Sequence, residues 1–120
     1  MGDVTQDQIS QAHQARINGN YQDALSGYRE VLAAQPDHAE ALWGMGLSLM
    51  NVGDFDAALE MLRRATEIEP TNQQYLLDTA MHYTMLGMDE EAKGFFLRTV
   101  EIDPSSRQGA EAQKQLTYYD

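Results

Sequence analysis

Apolar residues recur along the chain three and four positions apart, the spacing that places them on one face of an α-helix. In the middle of the chain, Leu42 and Leu49 mark one such face. Ala58 and Leu62 mark a second face after a break at Gly53, and a glycine between two periodic segments is a turn signal. The pattern predicts two helices joined by a tight turn, with similar pairs before and after them.

The pattern repeats every 34 residues, and repetition at a fixed interval is typical of arrays of similar structural units. Prolines recur at this interval and end each unit, glycines recur at the turn within it, and alanines recur where paired helices cross closely. The positions are Pro36, Pro70 and Pro104; Gly19, Gly53 and Gly87; and Ala24, Ala58 and Ala92. The small residues Ala12, Gly46 and Ala80 fit close crossings in the same way.

A fourth series of residues predicts where the first helix of each unit begins. Asp3, Asp37, Thr71 and Ser105 are spaced by 34, and each is followed three residues later by Gln or Glu. An oxygen-bearing side chain followed by Glu or Gln at that spacing is a capping box, which satisfies free backbone N–H groups at a helix start. We therefore expect helices to be capped at these four positions.

Composition and charge narrow the classes of partner. The 120 residues are 42% hydrophobic, enough for one folded domain or a short array of repeats. Nineteen acidic and eight basic residues give a formal charge of −11, which argues against nucleic acids and anionic membranes, since both require basic surfaces. The chain has no cysteine and no apolar run long enough to span a membrane, so we expect a soluble, cytoplasmic protein without membrane insertion.

No group of residues has the spacing of a catalytic or metal site. His13, His38 and His82 are far apart, and none has a second ligand three or four residues away. Gly44 and Gly46 lie within a predicted helix rather than after a strand, which excludes a phosphate-binding loop. We expect no enzyme activity, no cofactor and no bound metal.

The 34-residue period, the turn sequences Gly19-Asn20-Tyr21 and Gly53-Asp54-Phe55, the alanines and the prolines resemble the tetratricopeptide repeat. The resemblance implies an all-α fold, a right-handed superhelix of three helix-turn-helix repeats with a terminal solvating helix. The repeats would cover residues 3–36, 37–70 and 71–104, and the capping helix and tail would cover 105–120.

The resemblance also implies that the first helix of each repeat lines a concave surface that binds a peptide. On this basis we predict a binding groove with an apolar stripe formed by Trp43, Leu47, Met50, Leu77, Met81 and Met85. Arg16 also lies on the predicted surface. The full set of predicted peptide-binding residues is Ile9, His13, Ile17, Glu40, Trp43, Leu47, Met50, Asn51, Leu77, Asp78, Met81 and Met85.

The predicted function is that of an adaptor, scaffold or chaperone-like module that binds an apolar segment of a partner protein. Basic flanks on that segment would meet Glu40 and Asp78. The family's clamp for chaperone C-terminal carboxylates is not expected, because its positions hold Ile9, His13, Gly44, Gln74 and Asp78 instead of cations. In outline the chain is also similar to bacterial secretion chaperones. The alternative is a homo-oligomer that assembles through this groove or through Tyr118 and Tyr119 at the end of the chain.

Overall fold

Helices account for most of residues 4–119, the part of the chain that the computed structural model describes. Within this range there are seven α-helices and a final 3-10 turn, and there is no strand. The helices are α1 (Val4–Ile17), α2 (Tyr21–Ala34), α3 (Ala39–Asn51), α4 (Phe55–Ile68), α5 (Gln73–Met85), α6 (Asp89–Ile102) and α7 (Arg107–Leu116), followed by the 3-10 turn Thr117–Tyr119. None of these helices combines the length and apolar character needed to cross a bilayer.

The first six helices pack as three pairs of consecutive helices, α1 with α2, α3 with α4, and α5 with α6. Each pair lies inside one of the three predicted repeats. The chain divides into two compact units, one ending at Ile68 and the other beginning at Glu69. The first unit therefore contains α1 to α4, and the second contains α5 to α7.

The predicted turn glycines have one backbone conformation in all three pairs. Gly19, Gly53 and Gly87 have φ values of +83°, +88° and +75°, a left-handed region in which a side chain is strained. After each glycine, the next backbone N–H bonds back to a carbonyl five residues earlier, at 2.8–2.9 Å. This is the hydrogen bond of a Schellman C-cap, so each glycine ends one helix and turns the chain into its partner.

Small residues occupy the predicted close crossings. Ala24, Ala58 and Ala92 are completely buried. A Cβ added at Gly46 would lie 2.8 Å from Leu62 Cγ and 3.2 Å from the Ala58 carbonyl oxygen. The predicted close crossing is thus confirmed at Gly46, where a side chain would force α3 and α4 apart.

The predicted helix caps were wrong by one residue. The side chains of His38, Asn72 and Ser106 accept the capping hydrogen bonds of α3, α5 and α7, so the caps are not Asp37, Thr71 and Ser105. Asp3, the first member of that series, lies outside the described residues. Two polar residues follow each proline, and the second of them has the extended backbone conformation that capping requires.

The second unit closes around aromatic side chains. Phe96 is fully buried, and its ring centroid lies 6.2 Å from that of Tyr119. The Tyr119 hydroxyl is 2.6 Å from the Thr84 hydroxyl, whereas Tyr118 is 69% exposed. Of the two terminal tyrosines, therefore, Tyr119 packs within its own unit and Tyr118 projects from it.

Candidate binding face

Helix α3 carries apolar side chains on more than one face. Leu42 and Leu49 are buried in the core of the first unit. Trp43, Leu47 and Met50 are only partly buried, although Leu42 and Leu49 already supply the apolar side of the helix. The partly exposed surfaces of these three side chains form an apolar strip along α3, although Met50 also packs against the core cluster of Leu25, Leu49 and Ala58.

Tyr28 of α2 reaches this strip from the core side. Its side chain is completely buried and belongs to a cluster with Ile9, Val31 and Ala41. A Cβ added at Gly44 would overlap the Tyr28 ring, so the absence of a side chain at that position lets the ring lie against α3. Burial raises the pKa of the Tyr28 hydroxyl above its ordinary value, and the hydrogen bond and charge of Arg16 oppose this rise.

His13 of α1 joins Tyr28 to α3. Its Nδ1 is hydrogen-bonded to the Tyr28 hydroxyl, and its Nε2 lies 2.7 Å from Glu40 Oε2. The His13 ring also meets Trp43 in an edge-to-face arrangement, with 5.7 Å between ring centroids. His13 thus contacts side chains from α2 and α3 and links three helices in one place.

Arg16 completes the arrangement from one turn further along α1. Its Nε donates a hydrogen bond of 3.2 Å to the Tyr28 hydroxyl, and its guanidinium carbon lies 5.2 Å from the centre of the Trp43 ring. A cation at this distance from an indole face is attracted by the ring's quadrupole. We call His13, Arg16, Tyr28, Glu40 and Trp43 the Trp43 cluster.

Most of the predicted peptide-binding residues are accessible to some degree, but two are not. Ile9 is completely buried because its side of α1 faces Ala24 and Tyr28 in the core, so it offers no side-chain surface to a peptide. Leu77 is only 6% exposed. Seven of the thirteen residues of α5 are buried, so the buried face of this helix is wide enough to include Leu77. The residues with accessible surface are His13, Ile17, Glu40, Trp43, Leu47, Met50 and Asn51 in the first unit, and Asp78, Met81 and Met85 in the second.

The two carboxylates predicted to receive a basic partner already have neighbours. Glu40 is bound by His13, as described above. Both oxygens of Asp78 accept hydrogen bonds of 3.1 Å from Gln74 Nε2, one helical turn earlier on α5. Each carboxylate is still partly accessible, so a partner's cation would share it with these donors.

Within the described residues, the other histidines and glycines considered for metal or phosphate binding occupy structural positions. His38 Nδ1 accepts the Ala41 N–H at the start of α3, and His82 is buried in α5. Gly44 and Gly46 lie in the middle of α3. Across residues 4–119, no three His, Cys, Asp or Glu side chains are grouped as ligands for a metal ion.

Two members of the Trp43 cluster were not among the predicted contact residues. Arg16 was placed on the surface, and its position three residues after His13 is the signal that could have added it. Tyr28 gave no such signal, because it belongs to the second helix of its pair and reaches the face only by passing Gly44.

A family model described as a tetratricopeptide repeat matches the chain over residues 15–76 and again over 49–116. Among curated relatives, the photosystem I assembly protein Ycf3 of Acaryochloris marina is 30% identical over 109 residues. That match covers 77% of this chain and 66% of Ycf3, so the chain spans slightly less than two thirds of that protein's length.

Solved structures with 15% identity have the same fold. The Yersinia enterocolitica type III secretion translocator chaperone SycD matches with a TM-score of 0.88 over 97% of this chain and 83% of its own. The first repeat domain of RPAP3, bound to an HSP90 peptide, matches with a TM-score of 0.84 over 96% of this chain and 91% of its own. These matches confirm the predicted fold class, an all-α helical-repeat superhelix, and the relatives indicate a protein-interaction module.

Proposed function

The chain belongs to the tetratricopeptide repeat family, and from this premise we propose that it is a non-enzymatic adaptor that binds an apolar segment of a partner protein. In the first unit the segment would lie on the face of α1 and α3, with Trp43 as its main anchor. In the second unit, we propose the exposed Met81 and Met85 of α5 as a separate apolar contact surface. The proposed setting is the cytoplasm.

The observation that carries this proposal is that Trp43 is held in place by its neighbours and is still partly exposed. Its ring is held by Arg16 on one side and by the edge of His13, yet it remains partly accessible beside Leu47 and Met50. Tryptophan is favoured as an interface anchor because it offers a large apolar area at little entropic cost. Methionine adapts its flexible side chain to apolar partners of different shape.

The accessible apolar area is sufficient for a modest affinity. Covering what remains exposed of Trp43, Leu47 and Met50 contributes on the order of 2–4 kcal/mol gross, at ~25 cal/mol per Å². The cost of ordering the partner subtracts from this gross free energy. Because Glu40 and Asp78 already accept hydrogen bonds, apolar contacts would supply most of the affinity and basic flanks would add only to it.

The test replaces Trp43 with aspartate and compares the proteins captured from the source cell with those captured by the unchanged chain. We expect at least one partner to fall about tenfold or more, since a charge at an anchor position is left unpaired in the interface. Phe55→Asp is the control. Phe55 is likewise an aromatic residue with accessible surface, being 40% exposed, but it begins α4 and does not lie on α1 or α3. Identical partners for all three proteins, with unchanged far-UV circular dichroism, would refute the proposal.

The same protein samples test self-association, the alternative function. Tyr118 is exposed and available for a second copy, whereas Tyr119 packs within its unit. Light scattering across a wide range of concentration separates the two functions. A strict monomer at the highest concentration removes self-association, and a dimer abolished by Trp43→Asp would place a second copy on the proposed binding face.

A further inference from the structure

We propose that His13 and Arg16 form a proton-dependent latch on Trp43. When His13 gains a proton, Arg16 leaves the indole and one face of Trp43 becomes accessible. The biological meaning of the latch rests on the proposed function, since Trp43 is the anchor of the proposed face. The latch itself can be tested without any partner.

The hydrogen bonds of the Trp43 cluster match a neutral His13. Arg16 Nε–H donates to the Tyr28 oxygen, so the hydroxyl's own proton is free to be donated to His13 Nδ1. The opposite ring nitrogen, Nε2, then carries the hydrogen and donates to Glu40. A neutral imidazole has one donor and one acceptor, and this chain of three hydrogen bonds uses both.

Protonation of His13 is incompatible with this set of hydrogen bonds. Both ring nitrogens of an imidazolium are donors, so Nδ1–H and Arg16 Nε–H would both point at the Tyr28 oxygen. The hydroxyl proton of Tyr28 would lose its acceptor in a completely buried side chain, which is costly. Two cations would then share one hydroxyl and contact the same indole ring.

Arg16 is the group able to move. The charged and titratable groups that face His13 are Arg16 from its own helix, Tyr28 from α2 and Glu40 from α3. Glu40 attracts the imidazolium and keeps it in place, and Tyr28 is enclosed by the core. Arg16 is partly exposed on a flexible stem, so repulsion displaces it toward solvent and away from Trp43.

The chain has one tryptophan, so indole fluorescence reports on this site alone. We would measure acrylamide quenching of Trp43 at about pH 8 and about pH 5.5, near the ends of the range in which histidine ordinarily changes charge. In the unchanged protein we expect the quenching rate constant to rise roughly twofold at the lower pH, because one of two ring faces loses its covering cation. Fluorescence lifetimes are needed, since a protonated imidazole also quenches indole directly.

Three variants show whether His13 and Arg16 cause the rise in quenching at the lower pH. His13→Gln should quench equally at both pH values, because its amide can accept from Tyr28 and donate to Glu40 without titrating. Arg16→Ala should quench at the higher rate at both, because the latch is already absent. His38→Asn removes another histidine while keeping an N-cap acceptor, so it should retain the twofold change.

The latch is refuted if the unchanged protein shows no rise, or if the rise persists in His13→Gln or in Arg16→Ala. Far-UV circular dichroism at both pH values shows whether each variant is folded. If His13→Gln does not fold, Arg16→Ala and His38→Asn still decide the question. A flat pH profile would overturn the latch alone, whereas unchanged partners for Trp43→Asp would overturn the proposed function alone.

Discussion

Gly109 lies where α7 meets the end of α6, and its replacement by alanine tests how closely the two helices are joined. Gly109 is buried, and a Cβ at this position would overlap the backbone carbonyl oxygen of Asp103. It would also come within 3.0 Å of Pro104 Cα. Because both obstacles are main-chain atoms, no rotamer change relieves the overlap, and α7 must move away from the connection.

That movement weakens a connected set of hydrogen bonds. The Asp103 carbonyl oxygen accepts from Gln73 Nε2 at 2.8 Å and from Ser106 Oγ at 3.1 Å. Ser106 Oγ accepts the Gly109 N–H at 2.8 Å and so caps α7. Each bond contributes about 0.5–1.5 kcal/mol, overpacking costs about 1–3 kcal/mol, and the helix propensity of alanine returns about 1 kcal/mol. We therefore expect Gly109→Ala to destabilise the second unit by about 2–5 kcal/mol.

Gly94 provides a matched control in the same unit. It lies within α6, is exposed, and has no atom within 4 Å of the position that a Cβ would take. Gly94→Ala should therefore stabilise the unit by about 0.5–1 kcal/mol, through helix propensity alone. Urea unfolding followed by far-UV circular dichroism gives both changes, and amide hydrogen exchange in α7 locates the first. A midpoint for Gly109→Ala equal to or above that of the unchanged protein would refute the close contact.

The corrected caps and the charge of Asp103 give two further predictions. Asn72→Ala should cost about 1 kcal/mol because its Oδ1 accepts the Tyr75 N–H at 3.1 Å, whereas Thr71→Ala should leave the urea midpoint nearly unchanged. Equal losses would mean that the cap lies elsewhere. Ser105→Ala should raise the pKa of Asp103, because the Ser105 hydroxyl and then its N–H hold that pKa below the ordinary value. The lowered pKa stabilises the folded state at neutral pH, and this contribution is lost as the pH falls through it. An NMR titration of the Asp103 carboxyl carbon that is identical in both proteins would exclude the hydroxyl as the main cause.

Features that depend on local backbone geometry could be predicted from the 34-residue interval. A positive φ strongly favours glycine, so Gly53 identified its turn without knowledge of any contact. Close helix crossings require small side chains, so Ala58 and Gly46 identified theirs. The interval fixes the distance between helix starts but not their absolute position. Either of the two polar residues after Pro70 could have served as the cap.

Which side chains form the proposed binding face depends on contacts between helices, and a repeat pattern does not encode these contacts. The resemblance to the tetratricopeptide repeat placed Ile9 and His13 on the predicted binding surface of α1, but Ile9 is buried in the core. Likewise, the resemblance implied that Trp43 would be accessible without showing that Arg16 covers one side of its ring. Such contacts depend on which side chains extend from one helix to the next, and the periodicity of a single helix contains no information about them.

Gly44 is a core residue that determines which side chains come together on the proposed binding face. Tyr28 reaches His13 and Arg16 only because α3 has no side chain where the ring passes. A larger residue at position 44 would displace the ring, and His13 and Arg16 would lose the hydroxyl that they share. Trp43, which contacts both of them, would then lose the groups that hold its ring. The arrangement of the proposed anchor therefore depends on a glycine that is buried in the core.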